Sequence, residues 1–212
     1  MMWGVAILTM LVGAVVAITQ TDIKRMLAYS SIAHAGFLLT GVVGLSGDEA
    51  PGLGATMFYL LAYGLTTLGA FGLLTLVRDG AGEATHLSRW AGLAQRSPLT
   101  AALMTLFLLA LAGIPLTSGF TGKFAVFRAA IETGAWPLVV VAVLTSAVAA
   151  FYYLRVVVLM YFSEPAPDGP TIGVPGAPTT AVLAVTAAAT LVLGIVPGAV
   201  LDLAESAAVL WS

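Results

Sequence analysis

Residues 112–127 read AGIPLTSGFTGKFAVF and place Lys123 inside a long apolar stretch. A charge at the centre of a bilayer costs roughly 2.5–3.5 kcal/mol on insertion scales, so a lysine there needs polar surroundings, a partner or a function. Pro115 removes a backbone donor, and glycines lower the cost of non-helical dihedral angles. The segment therefore predicts a helix that is broken by Gly113, Pro115 and Gly119, with Lys123 about one turn beyond the break.

The composition of the chain is that of an integral membrane protein. Of the 212 residues, 60% are hydrophobic and only 8% are charged, which is far from the composition of soluble domains. The chain has no cysteine and its two histidines lie far apart, so we expect no metal site and no redox cofactor. The net charge of −2 contains no basic run, so we expect no nucleic acid partner. Partners are expected to be the lipid bilayer and other membrane proteins.

Runs of about 20 apolar residues are long enough to cross a hydrocarbon core of roughly 30 Å as helices. We predict an all-α membrane protein with one membrane domain, residues 1–212, and about six transmembrane helices, of which the fourth is discontinuous. The predicted helices are 3–21, 27–46, 54–77, 98–132, 136–162 and 178–200. Only the connections 78–97 and 163–177 are long enough to be more than turns.

Charged residues of the connections predict the orientation. The positive-inside rule places the Lys- and Arg-bearing connections in the cytoplasm, so both termini are expected outside. The first span has no basic region before it and no small-residue cleavage site after it, which favours a permanent span over a signal peptide. The predicted cytoplasmic cations are Lys24, Arg25, Arg78, Arg89 and Arg96, and the opposite connection carries Asp48 and Glu49.

Three further groups of polar residues fall within the predicted spans. His34 has the chemistry to pass protons, but a lone histidine among small residues is also typical of hydrogen bonding between membrane helices. Tyr59, Tyr63 and Thr66 or Thr67 recur at helical spacing, so their hydroxyls are expected to form one stripe that either holds water or joins helices. Arg155 is predicted to be an anchor at the membrane interface, together with the neighbouring tyrosines.

The stretch 20–36, QTDIKRMLAYSSIAHAG, closely resembles a conserved segment of the antiporter-like membrane subunits of respiratory complex I. Residues 58–63 and 68–71 resemble the helix that follows in that family, and 111–120 with Lys123 and Phe124 resembles its broken helix. The resemblance covers essentially the whole chain. It implies the second inverted repeat and the last helix of the antiporter-like fold.

Within the family, the N-type subunits of NADH–quinone oxidoreductase are the most similar. The L-type members carry histidines and a lysine where Tyr59, Tyr63 and Thr67 stand here, and they continue into a long lateral helix. The resemblance implies a hetero-oligomeric complex in a bacterial inner membrane, with no redox chemistry in this chain alone. It also implies that Lys123 is the terminal proton carrier. We expect His34, with the hydroxyl stripe of Tyr59, Tyr63 and Thr67, to extend the proton relay inward, and Ser118 to hold water.

Family members typically have fourteen spans, and the six predicted here resemble the ninth to the fourteenth. We therefore expect the C-terminal part of a subunit, from a truncated, split or longer protein. Three functions stay open at this point. They are a proton-translocating part of NADH–quinone oxidoreductase, a part of a cation/proton antiporter or membrane hydrogenase, and a scaffold that no longer translocates protons.

Overall fold

The computed structural model describes residues 1–45, 51–80, 82–165 and 168–209, and within them the chain is nearly all helical, as predicted. The predicted acidic connection with Asp48 and Glu49 lies outside these residues. The helices are Met2–Ile18 (α1), Ile23–Val43 (α2), Pro51–Leu74 (α3), Leu93–Arg96 (α4), Pro98–Ala112 (α5), Ser118–Glu132 (α6), Trp136–Phe162 (α7), Ala177–Ile195 (α8) and Gly198–Val209 (α9). The strands are Val77–Asp79 (β1), Gly82–Glu83 (β2) and Thr171–Ile172 (β3).

Four of these helices are long and apolar enough to cross a membrane: α2, α3 from Gly52, α7 and α8. Helices α1 and α5 are apolar but shorter. Many large apolar side chains on the outer faces of α1 and α7 are exposed, as lipid-facing surfaces require. The chain is thus a multi-pass membrane protein, and the number of six crossings stays a prediction.

Helix α2 begins four residues before the predicted span because Asp22 caps it. The Asp22 carboxylate accepts a hydrogen bond from the backbone N–H of Arg25 at 2.9 Å, which satisfies one of the free donors of the first turn. At the other end, the predicted third span overshoots α3, because Val77 leaves the helix and pairs with Ile172 in a sheet. The predicted bounds of the fifth span, 136–162, are those of α7.

The predicted discontinuity of the fourth span is confirmed. Gly113 adopts a left-handed conformation with φ of 84°, and the N–H of Ile114 turns back to the carbonyl of Leu109 at 3.0 Å, which ends α5. Pro115 follows, and it has no N–H with which to continue the helix. Helix resumes at Ser118, so residues 113–117 separate α5 from α6.

Gly119, which we predicted to be part of the break, lies instead in the first turn of α6. A Cβ atom at this position would overlap the carbonyl oxygen of Ala110 in α5. The glycine is therefore needed for the close approach of the two half-helices.

The predicted continuous span 178–200 is wrong, because the chain breaks again at Val196 and Pro197. Proline disfavours helical conformation in the residue before it, and Val196 has φ of −129° and ψ of 67°. The end of α8 touches the first break, since a Cβ atom at Gly194 would overlap the backbone of Leu116 and Thr117. Two interrupted helices thus meet at the same depth of the bundle.

The long connections form a small structure that we call the loop cap, made of β1–β3, the 3-10 turn Leu87–Trp90 and α4. Its strands pair antiparallel in the order β2-β1-β3, so the two long connections are more than turns, as predicted, and contain a small sheet. A bridge between Asp22 and His86 ties the cap to α2, and the buried Trp90 indole donates to the carbonyl of Ala84 at 2.7 Å. The cap thereby joins the same ends of α2, α3, α5, α7 and α8.

Ion pairs hold the outer surface of the cap together. Arg89 donates to the Asp168 carboxylate at 3.1 Å and lies 3.8 Å from Asp79, and Lys24 pairs with Glu83. The hydrogen bond from Arg89 lowers the pKa of Asp168 below its ordinary value. Because Lys24 and Asp168 are exposed, their ion pairs contribute little to stability. Arg89 and Asp79 are partly buried.

Two large apolar clusters and two smaller ones make up the interior of the described residues. The largest one lies next to the cap, around Trp90, Phe107 and Tyr152, and the second surrounds Phe37 and Tyr59 in the other half. Tyr152 and Tyr153 are fully buried. The prediction that these two tyrosines are anchors at the membrane interface is therefore wrong.

Replacement of Gly119 by Ala should destabilise the chain by about 1–3 kcal/mol, the usual cost of overpacking, because the new Cβ overlaps Ala110. Gly64→Ala is the matched control, since nothing lies within 4 Å of a Cβ at that helical glycine. The free energy of unfolding of the purified chain in mixed detergent measures both effects. Equal stabilities of the two variants would contradict the close approach of α5 and α6.

Candidate functional site

Lys123 lies in α6, one turn beyond the first break, and its side chain is buried with 4% of its surface exposed. Its Nζ donates hydrogen bonds to the carbonyl of Leu111 at 3.0 Å, the carbonyl of Ala112 at 3.1 Å and the hydroxyl of Ser146 at 2.8 Å. An ammonium has three N–H donors and no acceptor. The three contacts therefore match the protonated form of the lysine.

The two carbonyls are available because α5 ends at Ala112. The last four carbonyls of a helix have no partner within it, and they carry the negative end of the helix dipole. The break thus creates a cation site without an acidic side chain. Within the described ranges, no carboxylate forms an ion pair with Lys123.

Aromatic rings and a crevice complete the surroundings of Lys123. Nζ lies 4.8 Å from the centre of the Phe37 ring, close enough for a cation–π interaction. A crevice of about 320 Å³, which we call the lysine crevice, is lined by Lys123, Ser146 and the stacked rings of Phe120 and Phe124. The lysine is therefore next to a space that reaches the surface of the bundle.

His34 lies in α2 and is buried between two tyrosine hydroxyls. Its Nδ1 is 2.6 Å from the hydroxyl of Tyr59, and its Nε2 is 3.2 Å from the hydroxyl of Tyr153. The imidazole also stacks on Tyr63, with ring centres 4.6 Å apart. A neutral imidazole donates from one nitrogen and accepts at the other, so the histidine can link the two hydroxyls in either tautomer.

Phe37 contacts both the histidine and the lysine. Its ring meets the imidazole of His34 in a T-shaped arrangement, with ring centres 5.6 Å apart, and Nζ of Lys123 lies over the ring. Among the described residues, no direct hydrogen bond joins His34 to Lys123. The sequence-predicted residues His34, Tyr59 and Tyr63 form one cluster, and Lys123 forms a second one beside it.

Ser118 belongs to a third group, in which its neighbour from α3 is Thr66 and not Thr67. The hydroxyl of Ser118 is 3.3 Å from that of Thr66, which also lies 3.4 Å from the hydroxyl of Thr190 in α8. The buried hydroxyl of Thr67 has no hydrogen-bond partner within the described part of the chain. Successive helical residues point about 100° apart, so only one of the two threonines faces Ser118.

Sequence reasoning missed Ser146, Phe37 and Tyr153. Ser146 is a single hydroxyl in the apolar run of α7 and has no spacing that distinguishes it from a packing residue. Phe37 looks like a core residue in sequence, and Tyr153 was predicted to lie at the membrane interface. Their proximity to Lys123 and His34 depends on how α2, α6 and α7 pack.

A family model described as NADH:quinone oxidoreductase/Mrp antiporter, transmembrane region, matches residues 1–149. The NADH-quinone oxidoreductase subunit N of Rhodococcus opacus is 65% identical over 210 residues, which are 99% of this chain and 38% of that protein. A subunit N of Streptomyces griseus is 65% identical over 98% of this chain and 37% of its own length. The chain thus spans less than two fifths of the length of these relatives.

Solved structures are similar as well. A chain of respiratory complex I from Thermus thermophilus with bound aureothin superposes with a TM-score of 0.82 and 32% identity, over 95% of this chain and 44% of that one. A chain of the Mrp complex from Dietzia sp. superposes with a TM-score of 0.81 and 24% identity, over 98% of this chain and 46% of that one. The second likeness concerns the fold alone.

The different surroundings of the neighbouring threonines are testable. Thr66→Val should lower the free energy of unfolding by about 1 kcal/mol, because it removes the hydroxyl that contacts Ala62, Ser118 and Thr190. Thr67→Val should be neutral or stabilising, because it removes an unpaired buried hydroxyl. Unfolding in mixed detergent measures both, and a larger loss for Thr67→Val would contradict this arrangement.

Proposed function

Because the chain belongs to the NADH:quinone oxidoreductase/Mrp antiporter transmembrane family, we propose that it forms the C-terminal part of a proton-translocating subunit of NADH–quinone oxidoreductase, with Lys123 as proton carrier. The observation that supports this function is the contact of the buried Lys123 ammonium with three neutral acceptors and with no carboxylate in the described ranges. A permanent ion pair would hold the proton, whereas neutral acceptors leave it free to depart.

The chemistry of the carrier step follows from the three acceptors. When the ammonium gives a proton to water in the lysine crevice, a neutral amine with two N–H groups and one lone pair remains. The carbonyls of Leu111 and Ala112 can accept the two remaining N–H groups, but they cannot donate to the lone pair. Reprotonation from a water of the crevice restores the third hydrogen bond.

Ser146 is the contact that suits both states. Its hydroxyl accepts from the ammonium at 2.8 Å, and after deprotonation it can rotate and donate to the amine. In the present state the same hydroxyl lies 3.4 Å from the carbonyl of Ala112, to which it can donate. Ser146 therefore holds Nζ in the crevice throughout the exchange of the proton.

His34 and its tyrosines are the inner part of the proposed relay. An imidazole between two hydroxyls can take a proton on one side and release one on the other. Phe37 contacts both this cluster and Lys123, and no direct hydrogen bond joins the two among the described residues, so the transfer between them needs water or a movement of the Phe37 ring. Ser118 and Thr66 offer hydroxyls for such waters beside the first break.

The loop cap is proposed to lie in the cytoplasm of a bacterial cell, with both termini outside. The cap end carries Lys24, Arg25, Arg78, Arg89 and Arg96, which the positive-inside rule favours on the cytoplasmic side. The energy for translocation is proposed to come from quinone reduction in other subunits of the same complex. This chain binds no redox cofactor in that scheme.

Lys123→Ala in the assembled oxidoreductase should lower the number of protons translocated for each quinone reduced. Loss of a side chain that transfers a proton slows the transfer roughly 10²- to 10⁴-fold. Almost no protons should therefore pass through this chain in the variant. The measurement is proton uptake against quinone reduction in sealed membrane vesicles. Arg128→Gln is the control, because it removes a cation from the exposed face of the same helix.

An unchanged proton-to-quinone ratio in a fully assembled Lys123→Ala complex would contradict the carrier role. That outcome would favour a scaffold function. Sodium-dependent proton exchange without quinone reduction would instead favour an antiporter subunit.

Ser146→Ala should slow proton translocation about tenfold, since hydrogen bonds to charged groups contribute roughly 1.5–3 kcal/mol. Ser146→Thr keeps a hydroxyl and should restore the rate. Thr145→Val is the matched control, because this neighbouring hydroxyl bonds only the Val141 carbonyl of its own helix among the described residues. The rate is measured as acidification of vesicles at fixed quinone turnover. Equal rates for Ser146→Ala and Thr145→Val would contradict the role of Ser146.

A further inference from the structure

A crevice of about 410 Å³, which polar side chains line in part, opens where the cap end of α7 meets the loop cap. Arg155 of α7 lines it, together with hydroxyl and imidazole side chains of the connections, and no carboxylate side chain lines it. The wall towards the bundle is apolar. The polar side chains of this crevice are Thr21, His86, Ser88, Arg155 and Ser163.

Most N–H groups of the Arg155 guanidinium have no hydrogen-bond partner among the described residues. It donates one hydrogen bond, to the carbonyl of Ile18 at the end of α1, at 3.4 Å. Across the described ranges no carboxylate pairs with it, although Lys24, Arg89 and Arg128 each have one. A guanidinium carries five N–H donors, in a fork that fits the oxygens of phosphate. Phe162 ends α7 seven residues later, so Arg155 lies roughly 10 Å from the helix end.

The loop cap supplies one further donor, on the imidazole of His86. The hydroxyl of Ser88 lies 2.8 Å from Nδ1 of His86, and the backbone N–H of Ser88 donates to the same nitrogen at 3.3 Å. Because Nδ1 accepts, Nε2 is the nitrogen that bears the proton of the neutral ring. The bridge between His86 and Asp22 fixes this turn against α2. The crevice therefore presents donors to an anion.

An apolar groove of about 230 Å³ runs between the same two helices further from the cap. Leu11 and Val15 of α1 line one side, and Leu144 and Val148 of α7 line the other. Leu144, Val148, Phe151 and Arg155 follow each other at helical spacing, and all four are exposed. The face of α7 that carries the Arg155 guanidinium thus continues as a stripe of exposed apolar side chains.

The dimensions of this face suit a lipid. Leu144 lies eleven residues before Arg155, which is roughly 16 Å along the helix. Half of the hydrocarbon core of a bilayer is roughly 15 Å thick. An anion site at the end of an apolar groove of that length is complementary to a phosphate headgroup with an acyl chain below it. Basic pockets between membrane helices are known to bind anionic headgroups.

We propose that this face is a binding site for one anionic phospholipid. The phosphodiester binds Arg155 and the Nε2–H group of His86, and an acyl chain lies in the groove between α1 and α7. The lipid thereby joins the end of α1 to α7 and the loop cap. This proposal does not depend on the role of Lys123 or on the orientation of the chain.

The test is native mass spectrometry of the full chain in mild detergent, titrated with dioleoylphosphatidylglycerol. The wild type should bind one lipid per chain more tightly than inorganic phosphate. Arg155→Gln and Val15→Trp should each weaken lipid binding about tenfold, by removing the anion contact and by filling the groove. Arg25→Gln should change binding less than about twofold, because it removes the same charge from an exposed position in the first turn of α2, outside the crevice.

Equal weakening by Arg155→Gln and Arg25→Gln would overturn the proposal in favour of general surface charge. Phosphate binding as tight as lipid binding, with no effect of Val15→Trp, would overturn it in favour of a free-anion site. Absence of lipid binding to the wild type would overturn it as well. Circular dichroism of each variant separates these outcomes from a loss of helical structure.

Discussion

The hydrogen bonds between the Lys123 ammonium and the last carbonyls of α5 are the interaction on which the site depends. A charge within an apolar bundle is costly unless polar groups replace its water, and carbonyls within a continuous helix are already paired. The chain meets both conditions by interrupting one helix. Gly113 takes the left-handed conformation that ends α5, and the freed carbonyls then face the lysine of the following half-helix.

The break at Val196 and Pro197 lies at the same depth of the helix bundle as the break at residues 113–117. Gly194 at the end of α8 packs against Leu116 and Thr117, and the hydroxyl of Thr121 approaches the Gly194 carbonyl at 3.5 Å. Unpaired backbone at membrane depth is tolerated where protein or a hydrated cavity surrounds it. The adjacent breaks pack against each other, and Thr66, Ser118 and Thr190 form a polar layer beside them inside an apolar bundle.

Composition and apolar runs were enough to predict the helical membrane fold, and Gly113 and Pro115 were enough to predict the break in the fourth span. The break at Pro197 was missed because the apolar run continues across it. The strands of the loop cap were missed because they pair segments far apart in sequence. Thr66 and Thr67 could not be separated without knowing which face of α3 meets α6, and Ser146 carries no signal in sequence at all. Side-chain function in this bundle depends on packing between helices, which hydropathy does not record.

The most direct test of a proton carrier is the chemical state of its nitrogen during transport. Residues 1–212 contain two lysines, Lys24 and Lys123, so ¹⁵N at Nζ that is confined to these residues gives two signals, of which Lys24 on the surface is an internal reference. Nitrogen NMR of the assembled complex in bilayers should show Lys123 exchanging between ammonium and amine during quinone reduction, while Lys24 stays an ammonium. A Lys123 signal that stays an ammonium throughout turnover would contradict the account.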